Sequence, residues 1–68
     1  MIAVIDIDFP GGTIVTIGRT CEGYTYNGEP AWYTIEGESH QMKYCTIVVV
    51  LDVATFEEAR EKFPEWLV

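Results

Sequence analysis

Two carboxylates separated by a single residue, Asp6-Ile7-Asp8, form the first arrangement in this chain that could do chemistry. In an extended segment they leave the same face about 7 Å apart. Such a pair can hold a divalent cation or divide general acid and base roles. A cation site needs more ligands, and no further carboxylate follows at a recognisable spacing, nor does a glycine-bearing metal loop. We therefore expect a solvated strand face whose charge discourages edge pairing, with contact to a basic partner as its functional use. His40 is the chain's single histidine and its one candidate imidazole base. Ser39 beside it, or Cys21 or Cys45, would complete a nucleophile–base pair, but no spacing orders them into an elbow or triad. His40 is expected on an exposed polar turn. A single histidine and no Cys-x-x-Cys leave too few ligands for closed zinc. The two thiols are expected to be reduced and buried, because the chain opens without a basic-then-apolar leader. Gly11-Gly12 and Gly18 are followed by neither Lys-Ser/Thr nor a helix, so no phosphate loop is expected. The reading is of a protein with no catalytic residues, no metal and no cofactor.

Aromatic side chains and charge carry the remaining signal. Tyr24, Tyr26, Trp32 and Tyr33 cluster in one stretch. Sheet aromatics can stack nucleobases, but single-strand binders add a basic groove, and only Arg19 and Lys43 lie outside the C-terminal helical segment. Eleven acidic residues against four basic ones give a net charge of -7, which repels phosphate backbones. Direct nucleic-acid binding is thus disfavoured. Cross-strand packing accounts for most of the aromatic cluster, and members left exposed beside carboxylates would serve as protein–protein anchors. Solubility alone can explain a charge of this size. Its distribution is more specific: residues 1–42 hold six acids and one base, residues 43–68 five acids and three bases. Asp6, Asp8, Glu22, Glu29, Glu36 and Glu38 are therefore almost uncompensated.

The elements that position these groups can be read from period and punctuation. Sixty-eight residues allow one domain, residues 1–68, with a small core. Residues 2–9 alternate, with Ala3, Ile5, Ile7 and Phe9 on one face and Ile2, Val4, Asp6 and Asp8 on the other. Pro10-Gly11-Gly12 turns the chain into a second strand over residues 13–18, completing an antiparallel hairpin. Asn27-Gly28 predicts a type I′ turn pairing Tyr26 with Glu29 and Tyr24 with Ala31, on an edge because Pro30 cannot donate. Glu36-Gly37-Glu38-Ser39 is a polar turn. Residues 47–51, Ile-Val-Val-Val-Leu, read as a strand covered on both faces at the middle of the sheet. Thr55-Phe56-Glu57-Glu58 is a capping box opening a helix of about two turns, with Phe56, Ala59 and Phe63 as its apolar stripe and Pro64 as its stop. Residues 65–68 are expected to trail as a tail. The fold class is α+β: a four- to five-stranded, mostly antiparallel sheet with one short C-terminal helix packed on one face.

A small acidic αβ chain with aromatics in its hairpins and no catalytic constellation resembles the phage-encoded anti-defence proteins, the anti-CRISPR inhibitors especially. The resemblance covers size, charge and texture along the whole chain, and no motif transfers a functional residue. It implies an inhibitor in the host cytoplasm that occludes the basic, nucleic-acid-binding surface of a host defence complex such as a CRISPR-Cas effector, or acts as a DNA mimic. Asp6, Asp8, Glu22, Glu29, Glu36 and Glu38 would face that surface, with exposed members of Tyr24, Tyr26, Trp32 and Tyr33 as anchors. No apolar run approaches a membrane span, so no membrane partner is expected. The chain would act as a monomer or homodimer. The rival readings are a structural or regulatory homodimer joined at a sheet edge, and a small metal-dependent enzyme using Asp6, Asp8 and His40.

Overall fold

The first strand has apolar side chains on both faces, and the rest of the fold is arranged to cover them. A computed structural model describes residues 1–67. It contains β1 (Ile2–Phe9), β2 (Gly12–Thr20), β3 (Ala31–Thr34), β4 (Ser39–Gln41) and β5 (Cys45–Leu51) in one sheet of order β4-β3-β2-β1-β5, followed by helix α1 (Phe56–Lys62). Every pairing is antiparallel. Single 3₁₀ turns occupy Met42–Tyr44 and Pro64–Trp66. The α+β class, the antiparallel sheet and the short helix on one face are as the sequence predicts.

Strand order and loop length together force the sheet to curl. β4 and β5 lie at opposite margins, about 19 Å apart if five strands lay flat at ordinary spacing. The three residues Met42–Tyr44 join them. Four Cα steps reach only about 14 Å fully extended, and far less as a 3₁₀ turn. The sheet must therefore bend round until its margins approach. Met42 is held at the seam, where its N–H donates to the Pro30 carbonyl at 3.1 Å.

Curling creates two small cores, one on each face of β1. On the outer face Ile2, Val4, Ile17, Ile35 and Leu51 pack with Ala59 of α1, and Phe56, Phe63, Trp66 and Leu67 close over them. Inside the curl Ala3, Ile5, Ile7 and Trp32 pack together, with Met42 and Cys45 against them. These two sets are the alternating halves of residues 2–9, so the period-2 reading of β1 holds. Gly18 makes the inner core fit, because a Cβ there would lie 2.8 Å from Ile5 Cδ1 and 3.4 Å from the Trp32 ring. The helix begins as its sequence requires: the Thr55 hydroxyl accepts from the Glu58 N–H at 3.2 Å. Arg60 ties it to the sheet by donating to the Ile35 carbonyl at 3.3 Å.

Five expectations are corrected. The aliphatic run of residues 47–51 lies not at the centre of the sheet but on its margin, with Ile47, Val48, Val49 and Val50 exposed and only Leu51 buried under the helix. β1, between β2 and β5, takes the covered role instead. The Asn27-Gly28 turn forms, with φ of 49° and 77° and a Tyr26–Glu29 bridge, but Tyr24 does not pair with Ala31. The left-handed Gly23 breaks the extended run, and the Cys21 N–H takes the Ala31 carbonyl instead, so the segment is an exposed loop. His40 is no turn residue; it lies half-buried in β4 opposite Trp32. Trp66 and Leu67 pack onto the outer core rather than trailing. Val68, the end of that expected tail, lies outside the described residues. Cys21 and Cys45 are free and half-buried rather than fully buried.

Candidate functional site: an acid-rimmed groove inside the curl

Where β1 and β2 run past the inner core, the curled face is left uncovered and forms a groove. Ile7 and Phe9 line it from β1, and Ile14, opposite Ile7, and Thr16, opposite Ile5, line it from β2. Its centre is the Phe9–His40 contact, edge to face with ring centroids 5.6 Å apart. This contact crosses from β1 to β4 and would not exist in a flat sheet. On one side of it lies a pocket of about 430 Å³, walled by Tyr26, Tyr44 and Pro10 with Asp8 at its rim. On the other lies a pocket of about 200 Å³, floored by Ile14, Thr16 and Thr34 and rimmed by Glu36 and Glu38. Both pockets share Ile7, Phe9 and His40.

The rim acids are held by different devices. Glu36 accepts the Thr16 hydroxyl on both carboxylate oxygens, at 3.0 and 2.9 Å, which fixes an exposed side chain over the groove. Glu38 lies 3.3 Å from His40 Nε2, and its backbone N–H donates to the Thr34 hydroxyl at 3.1 Å. The Gly37 φ of 93° lets the chain turn tightly between these two acids. Asp8 accepts from the Thr13 hydroxyl at 3.4 Å across the hairpin.

The Lys and Arg side chains make other contacts than with the rim acids. Arg19 stacks between Tyr33 and Phe56, its guanidinium 5.3 and 5.8 Å from the ring centroids. Lys43 sits over the Tyr44 ring at 5.2 Å, and Arg60 is taken by the Ile35 carbonyl. Among the described residues the one ion-pair contact is Glu38 with His40, and no carboxylate pairs with Lys or Arg. The rim acids thus have no Lys or Arg partner among the described residues. An alkyl stem can lie on Phe9 or Tyr26 while its charged head meets Asp8, Glu36 or Glu38, which is how Lys and Arg bind amphipathic clefts.

The thiol at the seam is chemically quiet. Burial pushes the Cys45 thiol above its ordinary value, and the negative charge of Asp8 pushes it the same way. Its Sγ donates to the Gln41 carbonyl at 3.4 Å. A protonated, hydrogen-bonded thiol is a poor nucleophile. Among the described residues no group of three or more His, Cys, Asp or Glu is arranged to hold a metal ion.

The ten residues singled out from sequence fall into three sets. Asp8, Tyr26, Glu36 and Glu38 come together around the groove. Glu22, Tyr24 and Glu29 lie on the exposed loop, Tyr24 being 72% exposed. Asp6, Trp32 and Tyr33 belong to neither: Asp6 is half-buried on β1 and borders neither pocket, Tyr33 is half-buried under Arg19, and Trp32 is 4% exposed inside the inner core. Trp32 is corrected from anchor to core residue, because Gly18 opens a slot that draws the indole inward. Phe9, Ile14, His40 and Tyr44 complete the groove and were not legible as site residues. Alternation did place Phe9 with Ile7, but nothing local to the sequence brings His40 to it.

No helix among the described residues is long and apolar enough to cross a membrane. No protein family matches the chain, and neither a curated protein nor a solved structure is significantly similar to it.

Proposed function

We propose that the protein is a non-catalytic binding module that covers a basic protein surface, seating Lys or Arg side chains of the partner in the groove inside its curled sheet. The observation that carries this reading is the combination of an aromatic and aliphatic floor with an uncompensated rim of Asp8, Glu36 and Glu38. Apolar stems supply contact area and the rim supplies selection for positive charge. Surfaces dense in Lys and Arg commonly bind nucleic acid, so occupation of one by this chain would exclude its polynucleotide. That is the action of an occluding inhibitor, in the manner of the anti-CRISPR proteins it resembles in size and charge. The long-range field of the -7 chain would speed encounter, and the groove contacts would set residence time.

Titration of a short Lys- and Arg-rich peptide, followed by amide chemical shifts at low and high salt, tests the site directly. The expected result is a set of shifts centred on Phe9, Tyr26, His40 and Tyr44, with affinity falling as salt rises. The triple change Asp8→Asn, Glu36→Gln, Glu38→Gln should weaken binding well beyond the control Glu22→Gln, Glu29→Gln. Equal losses from both sets, or shifts scattered over every acidic segment, would sink the groove and leave only a diffuse negative surface. Pull-down from a host-cell lysate with and without nuclease then tests whether the partner is a nucleic-acid-binding complex, since a direct protein target survives nuclease treatment.

A further inference from the structure

β5 pairs with β1 along one side only, and the other side of this seven-residue strand is an open edge. An open edge presents backbone donors and acceptors ready for another strand. Here the side chains invite one as well: Ile47, Val48, Val49 and Val50 are between 41% and 55% exposed. No residue from Tyr44 to Leu51 is charged, in a chain of net charge -7. Two copies can therefore approach along this margin without setting carboxylate against carboxylate.

The ends of the strand select the occupant. Lys43 immediately precedes Tyr44, and Asp52 immediately follows Leu51. In an antiparallel pair the start of each strand lies beside the end of its neighbour. Two β5 strands so paired bring the Lys43 of each copy to the Asp52 of the other, twice by symmetry. We propose that β5 pairs antiparallel with β5 of a second copy across a two-fold axis, joining two sheets into one. The interface is isologous, so its length and charge match by construction. The bulge at Val48, where the register shifts opposite Val4 and Ile5, restricts regular pairing to the flanking residues. A weak, concentration-dependent dimer is the expected product, because one strand edge buries less than a standard interface.

Sedimentation from micromolar to millimolar concentration, at low and high salt, tests the proposal. The dimer fraction should rise with concentration and rise further with salt, because screening relieves repulsion between two chains of charge -7. This salt response is opposite in sign to that expected for a basic peptide in the groove, so the two readings fail separately. Val48→Lys with Val50→Lys should leave a folded monomer, checked by an unchanged thermal midpoint. Lys43→Glu should raise the dissociation constant about tenfold, since two surface ion pairs are lost at once and like charges replace them. Adding Asp52→Lys to Lys43→Glu should restore the dimer, a rescue that general stickiness of the strand would not give. A chain that stays monomeric at millimolar concentration in high salt overturns the proposal, as does a dimer indifferent to Val48→Lys and Val50→Lys. Capture of another protein's strand on this edge by a chain that remains monomeric overturns it equally.

Discussion

β4 and β5 each leave one side of their backbone unpaired, but β4 does so over three residues, Ser39-His40-Gln41, and β5 over seven, four of them exposed aliphatics. β4 is short and polar, and it runs straight into the Met42–Tyr44 turn, so it offers little to a passing strand. Its middle residue is also occupied, with His40 paired against Trp32 and packed on Phe9. β5 has neither charge nor proline, and only the bulge at Val48 interrupts it. Proximity at the seam does not make the margins alike. One closes the groove from the side, and the other is left available. In so small a chain both arrangements are legible as uses of the same sheet: one margin shapes a site, the other can extend the sheet.

The comparison can be broken most severely at Trp32, which fixes β3 and β4 to the inner core. Trp32→Ala should cost about 3–5 kcal/mol, comparable to the whole stability of a domain this small. Urea denaturation should then find the chain largely unfolded without denaturant. A loss below about 1 kcal/mol would mean that the closed margin does not depend on the curl. Gly18→Ala probes the same fit more gently. Its Cβ would drive Ile5 Cδ1 from a fully buried position, at a cost of about 1–3 kcal/mol by denaturant midpoint.

A smaller effect is expected at the seam itself and depends on pH. Because the Cys45 thiol titrates higher in the folded chain than its ordinary 9.0, the folded state holds that proton more tightly. The resulting stability is present in full below about that ordinary value and is lost as pH rises through the raised one. Stability curves of the wild type and Cys45→Ser should therefore run parallel below pH 9.0, with the wild type falling away relative to the variant above it. Parallel curves throughout would place Cys45 in ordinary solvent. The smallest change belongs to the open margin: Val48→Lys should shift monomer stability by no more than about 0.5 kcal/mol. A large loss there would show that β5 is covered in the monomer after all.

Much of the local architecture was legible before folding. The alternation in residues 2–9 names both cores, since each half of the pattern becomes one of them. Asn27-Gly28 adopts the two positive φ values that its type I′ turn requires. Thr55 caps the helix that its own sequence predicts. The site was legible only in part. Asp8, Tyr26, Glu36 and Glu38 were found as members of a negative, aromatic-bearing surface, but not as one groove with Phe9, Ile14, His40 and Tyr44. The aliphatic run in β5 misled, because side-chain type reports a preference for cover and not whether cover is supplied.

Residue identity by itself determined what acts within a few positions: strand alternation, turn chirality, the helix cap and the sign of the charge. Only the tertiary structure decided strand order, which margin stays open and which acids share a rim. The reason is that these follow from the curl, and the curl is imposed by a three-residue turn that spans the two margins of the sheet. Closure of that kind is a constraint between residues far apart in the chain, and no local pattern encodes it. Asp6-Ile7-Asp8 illustrates the division: the sequence placed both carboxylates on one face of a strand, and only the curl decided that Asp8, near the strand's end, borders the larger pocket while Asp6 does not.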